Sequence, residues 1–108
     1  MAHYLIQASY ATEAIAALVK TPEDRAAVVR RLAQSMGGRL EAFYFAFGDY
    51  DVVGIVEVPD NVTMAAISMA VSAGGALRAF KTTALIPMNE AVEAMRKAGA
   101  IAYRPPGG

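Results

Sequence analysis

The feature that most constrains this chain is a pair of strand-like runs, Arg39–Phe47 and Val52–Val58, separated by Gly48, Asp49, Tyr50 and Asp51. Two apolar, aromatic and β-branched runs joined by a short turn of Gly and Asp are expected to pair as an antiparallel hairpin. An isolated hairpin is marginal in water, so the remaining segments must supply further strands or a helical cover.

The flanking segments do so in a regular order. His3–Tyr10 reads as a strand, and Thr12 is positioned to cap a helix through Ile15, Leu18 and Val19. Thr21, Pro22, Glu23 and Asp24 re-start that helix, which carries Val28, Val29 and Leu32 on one face and closes at Gly37 and Gly38. After the hairpin, Pro59, Asp60 and Asn61 open a helix through Met64, Ile67 and Val71 that ends at Gly74 and Gly75. Arg78–Ile86 follows as a fourth strand, and Asn89 is expected to cap a last helix through Val92 and Met95. Strand, helix, hairpin, helix, strand is the βαββαβ order of the α+β ferredoxin-like fold, with both crossover helices on one sheet face. Residues 1–100 form one domain in this reading, and residues 101–108, with Pro105 and Pro106, form an extended tail.

Composition limits the function. Ten basic residues balance ten acidic ones, which gives no field for nucleic acid or anionic lipid. No stretch is apolar for long enough to span a membrane, and the start lacks a secretory pattern, so a cytoplasmic protein is expected. The absence of cysteine removes disulfides, thiolate metal sites and cysteine nucleophiles. The spacing of acidic residues around the single histidine, His3, offers no metal signature. No cofactor or metal is expected.

Apolar residues make up 56% of the chain and charged residues only 19%, which leaves little to solvate a surface. Strict alternation, phased on Glu41 and Glu57, puts Phe43, Phe45 and Phe47 with Val53 and Ile55 on the sheet face away from the helices. The same rule adds Leu5, Gln7, Ser9, Lys81, Thr83 and Leu85 to that face, and sends Ile6, Ala42, Tyr44, Val56 and Phe80 to the helix side. At about 1.5–3 kcal/mol for each large apolar side chain fully buried, such a face favours association. Leu5, Phe43, Phe45, Phe47, Val53, Ile55 and Leu85 are therefore the expected contacts of a homo-oligomer.

The stretch FGDYDVVGIVEVPDN, Phe47–Asn61, together with MAHYLIQASY, SAGGALRAFKTTAL and EAMRKAG, resembles the GYD domain family. Tyr50 and Asp51 match the name-giving residues in place, whereas Gly48 stands one position early because Asp49 intervenes. The resemblance implies a dimeric α/β-barrel variety of the ferredoxin-like fold and self-association, with no assigned chemistry.

Polar residues that chemistry would draw on are few. Asp49, Tyr50 and Asp51 on the turn suit hydrogen bonding to a ligand, or equally to the turn's own backbone. Gln7, Ser9, Lys81 and Tyr44 are candidates to line a sheet-face or intersubunit cavity for a small, partly apolar molecule, and Lys81 on the open face calls for Glu41 or Glu57 as its partner. His3 with Tyr50 and Asp51 would serve the rival reading, a cofactor-free oxygenase- or isomerase-like enzyme. A purely structural assembly protein is the third reading.

Overall fold

The computed structural model describes all residues, Met1–Gly108. Its elements run β1 (Ala2–Tyr10), α1 (Thr12–Lys20), α2 (Arg25–Ser35), β2 (Arg39–Phe45), β3 (Val52–Val58), α3 (Asn61–Ala73), β4 (Leu77–Leu85) and α4 (Met88–Gly99). The four strands form one antiparallel sheet in the order β2-β3-β1-β4, the ferredoxin-like arrangement with β1 and β3 in the centre. No helix is long and apolar enough to cross a membrane.

The helix boundaries follow local chemistry, with corrections at three caps. Ala11 stands at the α1 cap position with no side-chain bond, and Thr12 lies inside the helix. The α2 cap is Asp24, whose carboxylate accepts from the Ala26 N–H at 2.9 Å, in place of Thr21. Pro87 precedes α4, so Asn89 is an interior residue. At the end of α2 the N–H of Gly38 reaches the Ala33 carbonyl and that of Gly37 the Gln34 carbonyl, with Gly37 at φ +79°. This Schellman arrangement satisfies the last carbonyls at a conformation that only glycine adopts without strain. Asp60 caps α3, accepting from the backbone N–H and the hydroxyl of Thr63, bonds that hold its carboxyl below the usual carboxylate range.

The core lies between the sheet and helices α1–α3. Tyr4, Val56 and Val58 pack with Ala33 of α2 and with Met64 and Ile67 of α3, while Ala8, Tyr10 and Val52 form a second cluster against Ile15, Leu18 and Phe80. Ile6, Val56 and Phe80 therefore face the helices, as alternation requires.

Strand β2 departs from that alternation. Leu40 pairs with Val56 and Ala42 with Ile55, so Glu41 is an extra residue in a β-bulge. Every later β2 residue is thereby displaced to the opposite side. Phe43, opposite Gly54 and packed against the Ala8–Val52 cluster, belongs to the helix side, and Phe45, opposite Val52, follows it. Ala42 and Tyr44, expected on the helix side, lie on the open face. Phe47 is beyond the strand in the loop, 99% exposed.

α4 stands apart from this core. Met88, Ala91, Val92, Met95 and Ala98 recur at helical spacing as an apolar stripe, yet none of the helix is buried and Met95 is 63% exposed. The radius of gyration is 17.4 Å, against about 13 Å for a compact domain of this length.

Candidate functional site

Register lays the open face out in cross-strand rows. One row is Lys81, Gln7, Val53 and Tyr44; the next is Thr83, Leu5, Ile55 and Ala42; the last is Leu85, His3, Glu57 and Arg39. Gln7 and Lys81 are thus direct cross-strand neighbours, whereas Tyr44 lies on the far edge strand with Val53 between it and Gln7. Within the protomer Lys81 has neither glutamate as partner; both are held by Arg39 at the other end of the face.

That end is the most strongly charged part of the sheet. His3 Nδ1 lies 3.6 Å from Glu41 Oε1 and His3 Nε2 lies 3.5 Å from Glu57 Oε1. Arg39 donates from Nε to Glu57 Oε2, and from Nη2 to Glu41 Oε1 at 3.2 Å. The Arg39 guanidinium holds the Glu57 carboxyl below the usual range, and Glu57 in turn raises the already high proton affinity of Arg39. Three strands converge here: β1 supplies His3, β3 supplies Glu57 directly opposite it, and the β2 bulge supplies Glu41. The sequence offers the two glutamates as markers of strand phase and as partners for Lys81 but does not join them to His3, because no local spacing links positions that meet through sheet register.

Two of the turn residues, Asp49 and Asp51, bond to β1. The loop closes over Ser9, which is buried and donates from Oγ to the Asp49 carbonyl at 3.1 Å. The Asp51 N–H donates to the Ala8 carbonyl, and the Asp51 carboxylate accepts from the Tyr10 N–H at 2.9 Å, where β1 shifts register against β4. Asp51 thus ties the hairpin to a backbone donor that the irregular strand end would leave unmet. Asp51→Ala is expected to lower stability by about 1–2 kcal/mol, read as a shift of the thermal midpoint, with Tyr50→Phe melting as the wild type does. Asp51 and His3 do not meet within one chain: His3 lies five positions along β1 from Ala8, about 16 Å away. The grouping of His3 with Tyr50 and Asp51 as acid and base is therefore not formed in the protomer.

A mainly apolar, partly open pocket lies on the helix side. Its volume of about 120 Å³ lies between α2, α3 and the sheet, lined by Val28, Val29, Leu32, Ile67, Val71 and Phe43 among others. Arg25 and Tyr10 also line it; burial raises the Tyr10 phenol above its ordinary range, and the Arg25 charge opposes that rise.

Comparison with known proteins agrees with this architecture. Residues 4–95 match the model of the GYD domain. The chain is 26% identical over 96 residues to the "Glutamine synthetase and cystathionine beta-lyase binding protein" of Thermus thermophilus, covering 89% of this chain and 100% of that one. Among solved structures it superposes on FFRP-DM1 with TM-score 0.50 at 18% identity, covering 80% of this chain and 100% of that chain. A hypothetical protein of Pyrococcus horikoshii gives TM-score 0.52 at 16% identity, covering 81% of this chain and 92% of that chain. At these identities the two structures speak for the fold alone. With the family model spanning most of its length and all four strands in the ferredoxin-like order, the chain belongs to the GYD domain family.

Proposed function

We propose that this chain is a self-associating binding module in which a second copy covers the open sheet face and the apolar stripe of α4. The observation that carries the reading is the amount of apolar surface without a partner in the protomer. Only 11 of 108 residues are buried, the open face presents Leu5, Val53, Ile55 and Leu85 half-buried at best, and α4 contributes nothing to its own core. Apolar patches of this extent are uncommon on monomers and are the usual substance of subunit interfaces. A C2 pairing would let each copy use the same face twice. The Thermus relative, named for two enzymes that it binds, supports a role carried out by protein–protein contact.

Light scattering on the full chain tests this: the wild type should have a mass that is a multiple of 11.4 kDa. The double variant Val92→Glu, Met95→Glu should fall to a single chain with unchanged circular dichroism, because neither side chain is buried in its own protomer. A wild type of one-chain mass, or a variant that keeps the assembled mass, would remove the reading. Purified glutamine synthetase and cystathionine beta-lyase from the same organism then test the docking part, which fails if neither shifts the mass of the assembled protein.

A second reading has its own observation. The pocket's volume is near the roughly 150 Å³ that holds a benzene-sized molecule, so it suits a small compact apolar ligand between α2, α3 and the sheet, with Arg25 and Tyr10 as the polar groups of its lining. This site differs in place from the sheet-face cavity that alternation suggested.

A further inference from the structure

We propose that His3, Glu41 and Glu57 form a binding site for a divalent first-row transition cation such as Zn²⁺ or Co²⁺, with Arg39 as the competing positive charge. One imidazole nitrogen and one oxygen from each carboxylate lie within 4.8 Å of one another. Ligands at about 2.1 Å from a cation lie about 3.4 Å apart in a tetrahedron and about 4.2 Å apart across an octahedron, so modest side-chain rotation closes the set. The separations of 3.5 and 3.6 Å between His3 and the two carboxylates are too long for hydrogen bonds. They run from opposite ring nitrogens, Nδ1 to Glu41 and Nε2 to Glu57, so the imidazole lies between the two carboxylates, and a turn of the ring would present one nitrogen to a cation that both carboxylates hold.

Two further features point the same way. The donors come from three adjacent strands of one rigid sheet, and the β-bulge inserts Glu41 at the row where His3 and Glu57 already face each other. Bulges of this kind re-aim side chains at sites. An imidazole beside two carboxylates is a mixed nitrogen and oxygen set that suits zinc, iron, cobalt or manganese better than calcium or magnesium, which prefer all-oxygen shells. Arg39, bonded to both carboxylates, places beside them a positive charge that an incoming cation must displace. Its side chain is 65% exposed, so it is free to swing outward when a smaller, more highly charged cation enters. Three protein ligands leave coordination positions open to water or to an acidic ligand.

All three donors belong to one protomer, so the site does not rest on self-association. The test is a Co²⁺ titration of the full chain, followed by its visible d–d absorption, with Zn²⁺ added as competitor. The wild type should take up one ion per chain. His3→Gln should weaken binding by about tenfold or more through loss of the nitrogen ligand, and Glu57→Gln by a similar factor. Arg39→Gln should act in the opposite direction and tighten binding severalfold, because the competing guanidinium is gone. Arg39→Gln and Glu57→Gln both break the ion-pair cluster, so a merely structural effect would move the two variants the same way. A His3→Gln protein that binds Co²⁺ like the wild type, or an Arg39→Gln protein that binds more weakly, would overturn the assignment. Melting curves without metal confirm that each variant is folded.

Discussion

Replacing Ile55 by glutamate is expected to convert the assembled protein to single chains while leaving the protomer folded. Ile55 occupies the middle of the open face on central strand β3, between Leu5 of β1 and Ala42 of β2. In a separated protomer the new carboxylate meets water. Against a second copy it would be buried beside Leu5 and Val53, with Arg39 of the next row already paired to Glu41 and Glu57, at a cost of several kcal/mol, enough to shift a dimer equilibrium by a factor of a thousand or so. Size exclusion with light scattering reads the change directly, and circular dichroism checks the fold. Phe45→Glu is the matched control. Strict alternation would make it the disruptive change, but the bulge at Glu41 moves Phe45 to the helix side at the sheet edge, where it is 65% exposed. It should keep the native mass. If Ile55→Glu retains the assembled mass, the open face is not the interface.

Gly38→Ala should be the most destabilising single-methyl change in the chain. Gly38 joins α2 to β2 and passes directly against β3; a Cβ at this position would fall on the Glu57 carbonyl oxygen and come within 2.9 Å of Val58 Cγ1. Val58 is 0% exposed and cannot turn aside, and the carbonyl is backbone. The edge strand must then move away from β3, which loosens the Arg39–Glu57 pairing at the first step of the ladder. A loss of about 2–4 kcal/mol is expected, seen as a large fall in the denaturant midpoint. Gly75→Ala provides the contrast. Its φ of +76° makes alanine strained, but an added Cβ meets nothing within 4 Å, so the cost is conformational and should be near 1 kcal/mol. Equal losses at the two positions would argue against close strand approach as the reason for Gly38.

Much of the fold was legible because its signals are local. The Asp49–Asp51 turn between two β-branched and aromatic runs, the paired glycines after α2 and α3, and the 3.6-residue stripe of α4 each report on a few neighbouring residues. The helix starts at Asp24 and Pro87 were less legible, since Thr21 and Asn89 carry capping side chains within three residues of them, and Pro87 begins its helix with no side-chain cap bond at all. The candidate site was legible only in fragments. Gln7, Lys81 and Tyr44 do share a row, whereas the role of Asp51 as a partner for the Tyr10 N–H depends on an irregularity in β1 pairing that its own neighbours do not announce.

By itself the sequence determined the order of strands and helices, the ferredoxin-like class and the excess of apolar surface, since these follow from composition and from periodicities of two and 3.6 residues. Tertiary structure alone decided which side of the sheet most of β2 presents. One extra residue at Glu41 inverts the strand beyond it, placing Phe43 and Phe45 toward the helices and Ala42 and Tyr44 on the open face. The same register brings His3, Glu41 and Glu57 together from positions far apart in the chain. Side-chain direction in a sheet has a period of two, so a single-residue slip reverses every later assignment, and that slip is set by pairing across strands.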